Sequence, residues 1–88
     1  MNGSRAERLA QEIRQIVGQS LARQEIKDPR VRDAGLITVT HVRVTGDLRQ
    51  GRIFFTVHGA DEAGLERTRA GLTSASGFLK AKVGHNLS

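Results

Sequence analysis

Two stretches of this chain have residue types and spacing suited to chemistry. KDPRVR, residues 27–32, sets Lys27, Arg30 and Arg32 around an Asp-Pro pair. TSASGFLKAKVG, residues 73–84, interrupts a helical pattern with Ser74-Ala75-Ser76-Gly77 and then places Lys80 and Lys82. The chemistry on offer is anion binding. Fourteen Lys and Arg stand against nine Asp and Glu, for a net charge of +5. Most of the cations are Arg, whose planar fork matches phosphate. A balance of this kind points to polyanionic partners, nucleic acid first. Gly77 raises a separate question. Glycine inside a helix costs about 1 kcal/mol relative to Ala, so packing or function must compensate.

Catalytic constellations are missing. The chain has no cysteine, which removes disulfides, thiolate metal sites and a thiol nucleophile. His41, His58 and His85 are scattered without metal-ligand spacing, and neither a nucleophile elbow nor a Gly-rich phosphate loop occurs. We therefore expect a non-catalytic protein with no cofactor, no metal and no small-molecule substrate. All three aromatic residues are Phe, so base stacking on an aromatic-rich sheet is not expected.

The elements that must position these residues follow from the hydrophobic pattern. Leu9, Ile13, Ile16, Val17 and Leu21 recur at helical spacing, with Arg5, Arg8, Glu12, Arg14 and Arg23 on other faces. Ser4 with Glu7 reads as a capping box, and Arg8 and Glu12 are placed to pair. Asp28-Pro29 reads as a turn that ends this run.

Residues 36–44 and 52–58 read as two strands joined at Thr45-Gly46-Asp47. In the first, the apolar phase switches between Val39 and Val42, which predicts a bulge near Thr40-His41 or a strand apolar on both faces. In the second, Ile53, Phe55 and Val57 point one way and Arg52, Phe54, Thr56 and His58 the other. One Phe is expected in the core and its neighbour under a helix. Asp61 is the expected N-cap of a further helix, with Glu62 and Glu66 suiting its dipole. Its stripe of Leu65, Leu72, Ala75, Leu79 and Val83 runs through Gly77, so helix is expected on both sides of the interruption. From the residues alone, Ser74–Gly77 is a helix end, a close helix contact needing small residues, or a functional kink.

Eighty-eight residues make one domain at most, taken as residues 1–88. No apolar run approaches the ~20 residues of a membrane span, and the opening residues lack a hydrophobic signal core. A cytoplasmic monomer without membrane attachment is expected.

Three blocks, taken in order, resemble the ribosome-binding factor A family, small KH-fold proteins that act in assembly of the small ribosomal subunit. They are residues 5–31, ending in Lys27-Asp28-Pro29-Arg30; residues 37–57, with the Asp47-Leu48 turn; and residues 71–84. The resemblance implies an α+β fold of KH type (type II), in the order helix, strand, strand, helix, kink, helix. The family's usual third strand, after the last helix, would be absent or truncated here. It also implies that Ala75-Ser76-Gly77 replaces the Gly-x-x-Gly loop of nucleic-acid-binding KH domains, letting backbone approach phosphate. The RNA-binding residues expected on this basis are Ala75, Ser76, Gly77, Lys80 and Lys82, with Lys27, Arg30 and Arg32 as an adjoining basic patch. The partner implied is the small (30S) subunit and its 16S rRNA, whose late maturation and processing the protein would assist. The alternative is a protein-interaction module that uses the helical stripe or an open sheet edge.

Overall fold

The computed structural model describes residues 5–87, without the side chains of residues 86 and 87. Helix α1 (Arg5–Ala22) is followed by a four-residue helix α2 (Pro29–Arg32), strands β1 (Ile37–Val44) and β2 (Gly51–Val57), and helices α3 (Glu62–Ser74) and α4 (Ser76–Leu87). The strands form an antiparallel pair. This is an α+β, KH-like order, with helices and hairpin as expected and α2 added.

Helix α2 corrects the reading of Asp28-Pro29 as a turn. The Asp28 carboxylate accepts the Arg30 N–H at 2.9 Å, and Pro29 occupies the first helical position. Proline is preferred there because its missing N–H would have been unsatisfied anyway. The same two residues therefore start a helix. Ser4, half of the expected capping box, lies outside the described residues. The expected Arg8–Glu12 pair is not among the ion pairs of the described residues.

The phase switch in β1 is a bulge. Val39 pairs with Phe55 and His41 with Phe54, leaving Thr40 as the extra residue. A residue inserted at period two flips the phase, and so both Val39 and Val42 are buried. The loop between the strands is held by its own side chains. The Thr45 hydroxyl donates to Asp47 at 2.6 Å, and Asp47 accepts the Arg49 N–H at 3.1 Å.

The inward faces of β1 and β2 pack against the helices. Val17, Ile26, Val31, Val39, Val42 and Leu79 form the buried cluster, with Ile13, Leu21, Ile53 and Leu72 packed around it. Each such Val or Leu contributes about 1.5–3 kcal/mol by leaving water. Ala10 and Ser20 are more buried than the larger residues beside them on α1. Small side chains there let α1 approach the sheet and α4 closely. Arg14, one turn after Ala10 on α1, donates its Nε–H to the Val39 carbonyl at 3.3 Å. Asp61 caps α3 as expected, accepting the Gly64 N–H at 2.8 Å.

Phe55 is half-buried, with the Arg69 guanidinium 5.7 Å from its ring centre. Phe54 is not under a helix. It faces outward, 41 % exposed, against His41.

Candidate nucleic-acid interface

The helical run of residues 62–87 breaks at one residue. α3 ends at Ser74, Ala75 lies outside helix at φ −87° and ψ 5°, and α4 begins at Ser76. Hydrogen bonding nevertheless crosses the break: the Ala75 N–H donates to the Gly71 carbonyl at 3.1 Å, and the Leu79 N–H donates to the Ala75 carbonyl at 3.0 Å. The junction has an inner and an outer side. Leu79 is buried and Ala75 half-buried, whereas Ser74, Ser76, Gly77 and Phe78 are exposed.

Gly77 is not the residue that permits the break. It lies within the first turn of α4 outside the left-handed backbone region, and a Cβ built on it would meet nothing within 4 Å. The glycine that packing requires is Gly71, in the last turns of α3. A Cβ there would sit 2.8 Å from Val31 Cγ2 and 2.9 Å from Arg30 Cβ, so α2 and α3 touch through it. Sequence reading missed Gly71 because nothing local marks it; its partner is a helix forty residues earlier. The signal available was the set of small residues at 71, 74, 75 and 77, which mark close packing on one side of the helix and an uncovered surface on the other.

The five cations expected at the site, Lys27, Arg30, Arg32, Lys80 and Lys82, do not converge on one point. Arg30 reaches the junction. Its guanidinium grips Asp28 through Nε at 3.0 Å and Nη2 at 2.7 Å, and Nη2 also donates to the Ser74 hydroxyl at 3.0 Å. The side-chain hydrogen bonds from Arg30, followed by its backbone N–H, hold the Asp28 carboxyl down at about 2. Arg30 is thus committed to an internal pair, and its first role is to tie the α2 corner to the end of α3. Arg32 turns aside to Asp33 at 2.9 Å and borders a different depression, with Gly35 and Leu36. Lys27 is exposed and donates to the Gln24 carbonyl at 3.3 Å, a neutral acceptor that leaves its charge uncompensated.

Lys80 and Lys82 are also separated. Two residues on an α-helix are about 200° apart. Lys82 faces the segment that follows α1, where its Nζ lies 3.1 Å from one Glu25 carboxylate oxygen and donates to the other at 3.3 Å. That hydrogen bond lowers the Glu25 pKa, and the buried Ser20 hydroxyl adjoins the same carboxylate. Lys80 faces the hairpin instead. It is exposed and has no ion pair among the described residues. It stands on the rim of an apolar groove of about 390 Å³ whose lining includes Ile13, Val44, Leu48, Val83 and Arg49. Among the described residues the uncompensated cation beside the junction is therefore Lys80, and Lys82 is a strut between α4 and the segment after α1. No group of His, Asp or Glu able to hold a metal occurs among the described residues.

The sequence is similar to known proteins along nearly its whole length. The family model for ribosome-binding factor A matches residues 5–88. A ribosome-binding factor A of Clavibacter michiganensis subsp. michiganensis is 49 % identical over 84 residues, 96 % of this chain and 48 % of the relative. That of Streptomyces coelicolor is 49 % identical over 83 residues, 94 % of this chain and 49 % of the relative. That of Gloeobacter violaceus is 42 % identical over 87 residues, 99 % of this chain and 66 % of the relative. The chain spans about half the length of the first two relatives. With a family model covering nearly every residue and the helix–hairpin–broken-helix order in place, this chain belongs to the ribosome-binding factor A family.

Proposed function

We propose that the chain is a non-catalytic ribosome assembly factor. It binds the small subunit through 16S rRNA and assists late maturation and processing of that RNA, as a cytoplasmic monomer formed of one KH-like domain. The observation that carries this reading is the exposed side of the α3–α4 break, with Ser76 and Gly77 exposed, open space about Gly77 and, one turn beyond on the rim of the adjoining groove, Lys80, which has no ion pair among the described residues. Exposed backbone beside a cation suits a phosphate, and folded RNA presents mainly phosphates and 2′-hydroxyls. Lys27 supplies further positive charge from the loop before α2. Arg30 acts by holding Ser74, and with it the break, in place. Among the described residues no helix is long and apolar enough to cross a membrane.

One observation favours the second reading, a protein-interaction module. The groove beneath Lys80 is lined largely by aliphatic side chains, and Leu48 on its wall stays exposed. Salt separates the two. Phosphate docking weakens steeply as salt rises, because bound counterions are released; an apolar contact is indifferent to it. Co-sedimentation with isolated small subunits at two salt concentrations is the test. Selective, salt-sensitive binding supports RNA docking, and salt-insensitive binding overturns it in favour of the apolar groove.

A further inference from the structure

The face of the hairpin turned away from the helices carries a second set of groups that the junction does not use. With Thr40 bulged out of register, that face is a ladder of three cross-strand pairs: Thr38 with Thr56, His41 with Phe54, and Arg43 with Arg52. All six residues are exposed. The His41 and Phe54 rings lie 5.7 Å apart, inclined by 45°. Arg43 and Arg52 stand directly opposite each other, and neither has an ion-pair partner among the described residues. Neither strand contains Asp or Glu, and the acid nearest in sequence, Asp47, is engaged by Thr45 and the Arg49 N–H.

Like charges directly opposite on an antiparallel pair destabilise it. A sheet that keeps two arginines there, with no acid to relieve them, has left room for an anion between them. An exposed Phe two residues along the same strand adds an apolar plane. Side chains on one face recur every second residue, so the ring pair and the arginine pair are about 7 Å apart. That is the reach between a base and the phosphate attached to its own sugar.

We infer that this outer face is a separate binding site for single-stranded RNA, with a base stacked on Phe54 against His41 and the adjoining phosphate held between Arg43 and Arg52. The choice of RNA over another single strand rests on the proposed function; the site itself rests on the ladder. Sequence alone argued against stacking, since no Tyr or Trp is present. The structure supplies a smaller platform, one ring with a histidine at its edge, sized for one base. Lys80 belongs to the groove walled by Val42, Val44 and Ile53, the inward side of the sheet, so the two surfaces lie on opposite faces of the hairpin.

The test is fluorescence anisotropy of a labelled short oligouridylate with the whole chain, its Phe54→Leu variant and the double variant Arg43→Gln, Arg52→Gln. Inorganic polyphosphate serves as a base-free probe. Loss of a stacked base lowers affinity about tenfold or more, so Phe54→Leu should weaken oligouridylate binding by that factor and leave polyphosphate binding unchanged. The double Gln variant should lose both, while melting at the same or a higher temperature because the like-charge pair is gone. Oligouridylate binding within twofold of wild type in both variants overturns the site. Equal loss of both probes on Phe54→Leu overturns the stacking geometry. Small-subunit co-sedimentation of Lys80→Glu reads the junction separately, so either surface can fail without the other.

Discussion

The Arg30 guanidinium spans from α2 to α3, gripping Asp28 on its own turn and donating to the Ser74 hydroxyl at 3.0 Å. One side chain thereby couples the corner after α1 to the residue immediately before the helix break. The break has fixed neighbours on its inner side and open solvent on its outer side.

Close packing between these elements makes the glycines unequal. Gly71→Ala places a methyl within 3 Å of Val31 and Arg30 and should destabilise the protein by about 1–3 kcal/mol, the usual cost of overpacking. Gly77→Ala meets open space at a helical position and should be neutral or stabilise by up to about 1 kcal/mol. Urea denaturation of both variants checks this. A large loss for Gly77→Ala with none for Gly71→Ala would reverse the assignment.

The acid limb of stability should depend on Asp28. Its folded pKa, about 2, lies below the ordinary value of 3.8. A depressed carboxylate stabilises the folded state above its unfolded pKa and ceases to do so as pH falls through the folded one. Asp28 therefore contributes fully above about pH 4, and that contribution fades between about pH 4 and 2. Melting temperatures of Asp28→Asn and wild type should differ at pH 6 and converge toward pH 2. A constant difference across that range would remove Asp28 from the acid transition.

The two lysines of α4 should behave differently. Lys82→Glu sets a second carboxylate against Glu25, beside the buried Ser20, and should lower the melting temperature while weakening subunit binding only indirectly. Lys80→Glu touches no charged partner among the described residues and should leave melting within a degree or two while weakening subunit binding. Differential scanning fluorimetry beside co-sedimentation separates them. Equal effects of the two variants on both readouts would contradict their placement on different sides of α4.

Much of this architecture was legible in the residues because its causes are local. The jump from Val39 to Val42 could satisfy one buried face only through an inserted residue, and Thr40 is that residue. Asp61 announced a helix start by the carboxylate it offers to a free N–H. The break between α3 and α4 was visible as a run of small residues, and its place, Ala75, fell within the expected segment. What stayed hidden depends on distant partners. Lys80 and Lys82 read as one basic patch until helix geometry and Glu25 separate them. Arg30 read as a free cation until Asp28 and Ser74 claim it. Pro29 fits a turn and a helix start equally well, and the Asp28 cap decides between them. Gly71 carried no local sign, since the atoms that exclude a side chain there belong to α2.

Whether the exposed side of the α3–α4 break, with Lys80 on the adjoining groove rim, seats on small-subunit rRNA is decided by co-sedimenting wild type and Lys80→Glu with isolated small subunits at low and raised salt. Wild type should pellet with small subunits and be released as salt rises, and Lys80→Glu should bind at least severalfold more weakly with a shallower salt dependence. Equal pelleting of the two proteins with the same response to salt would contradict that seating.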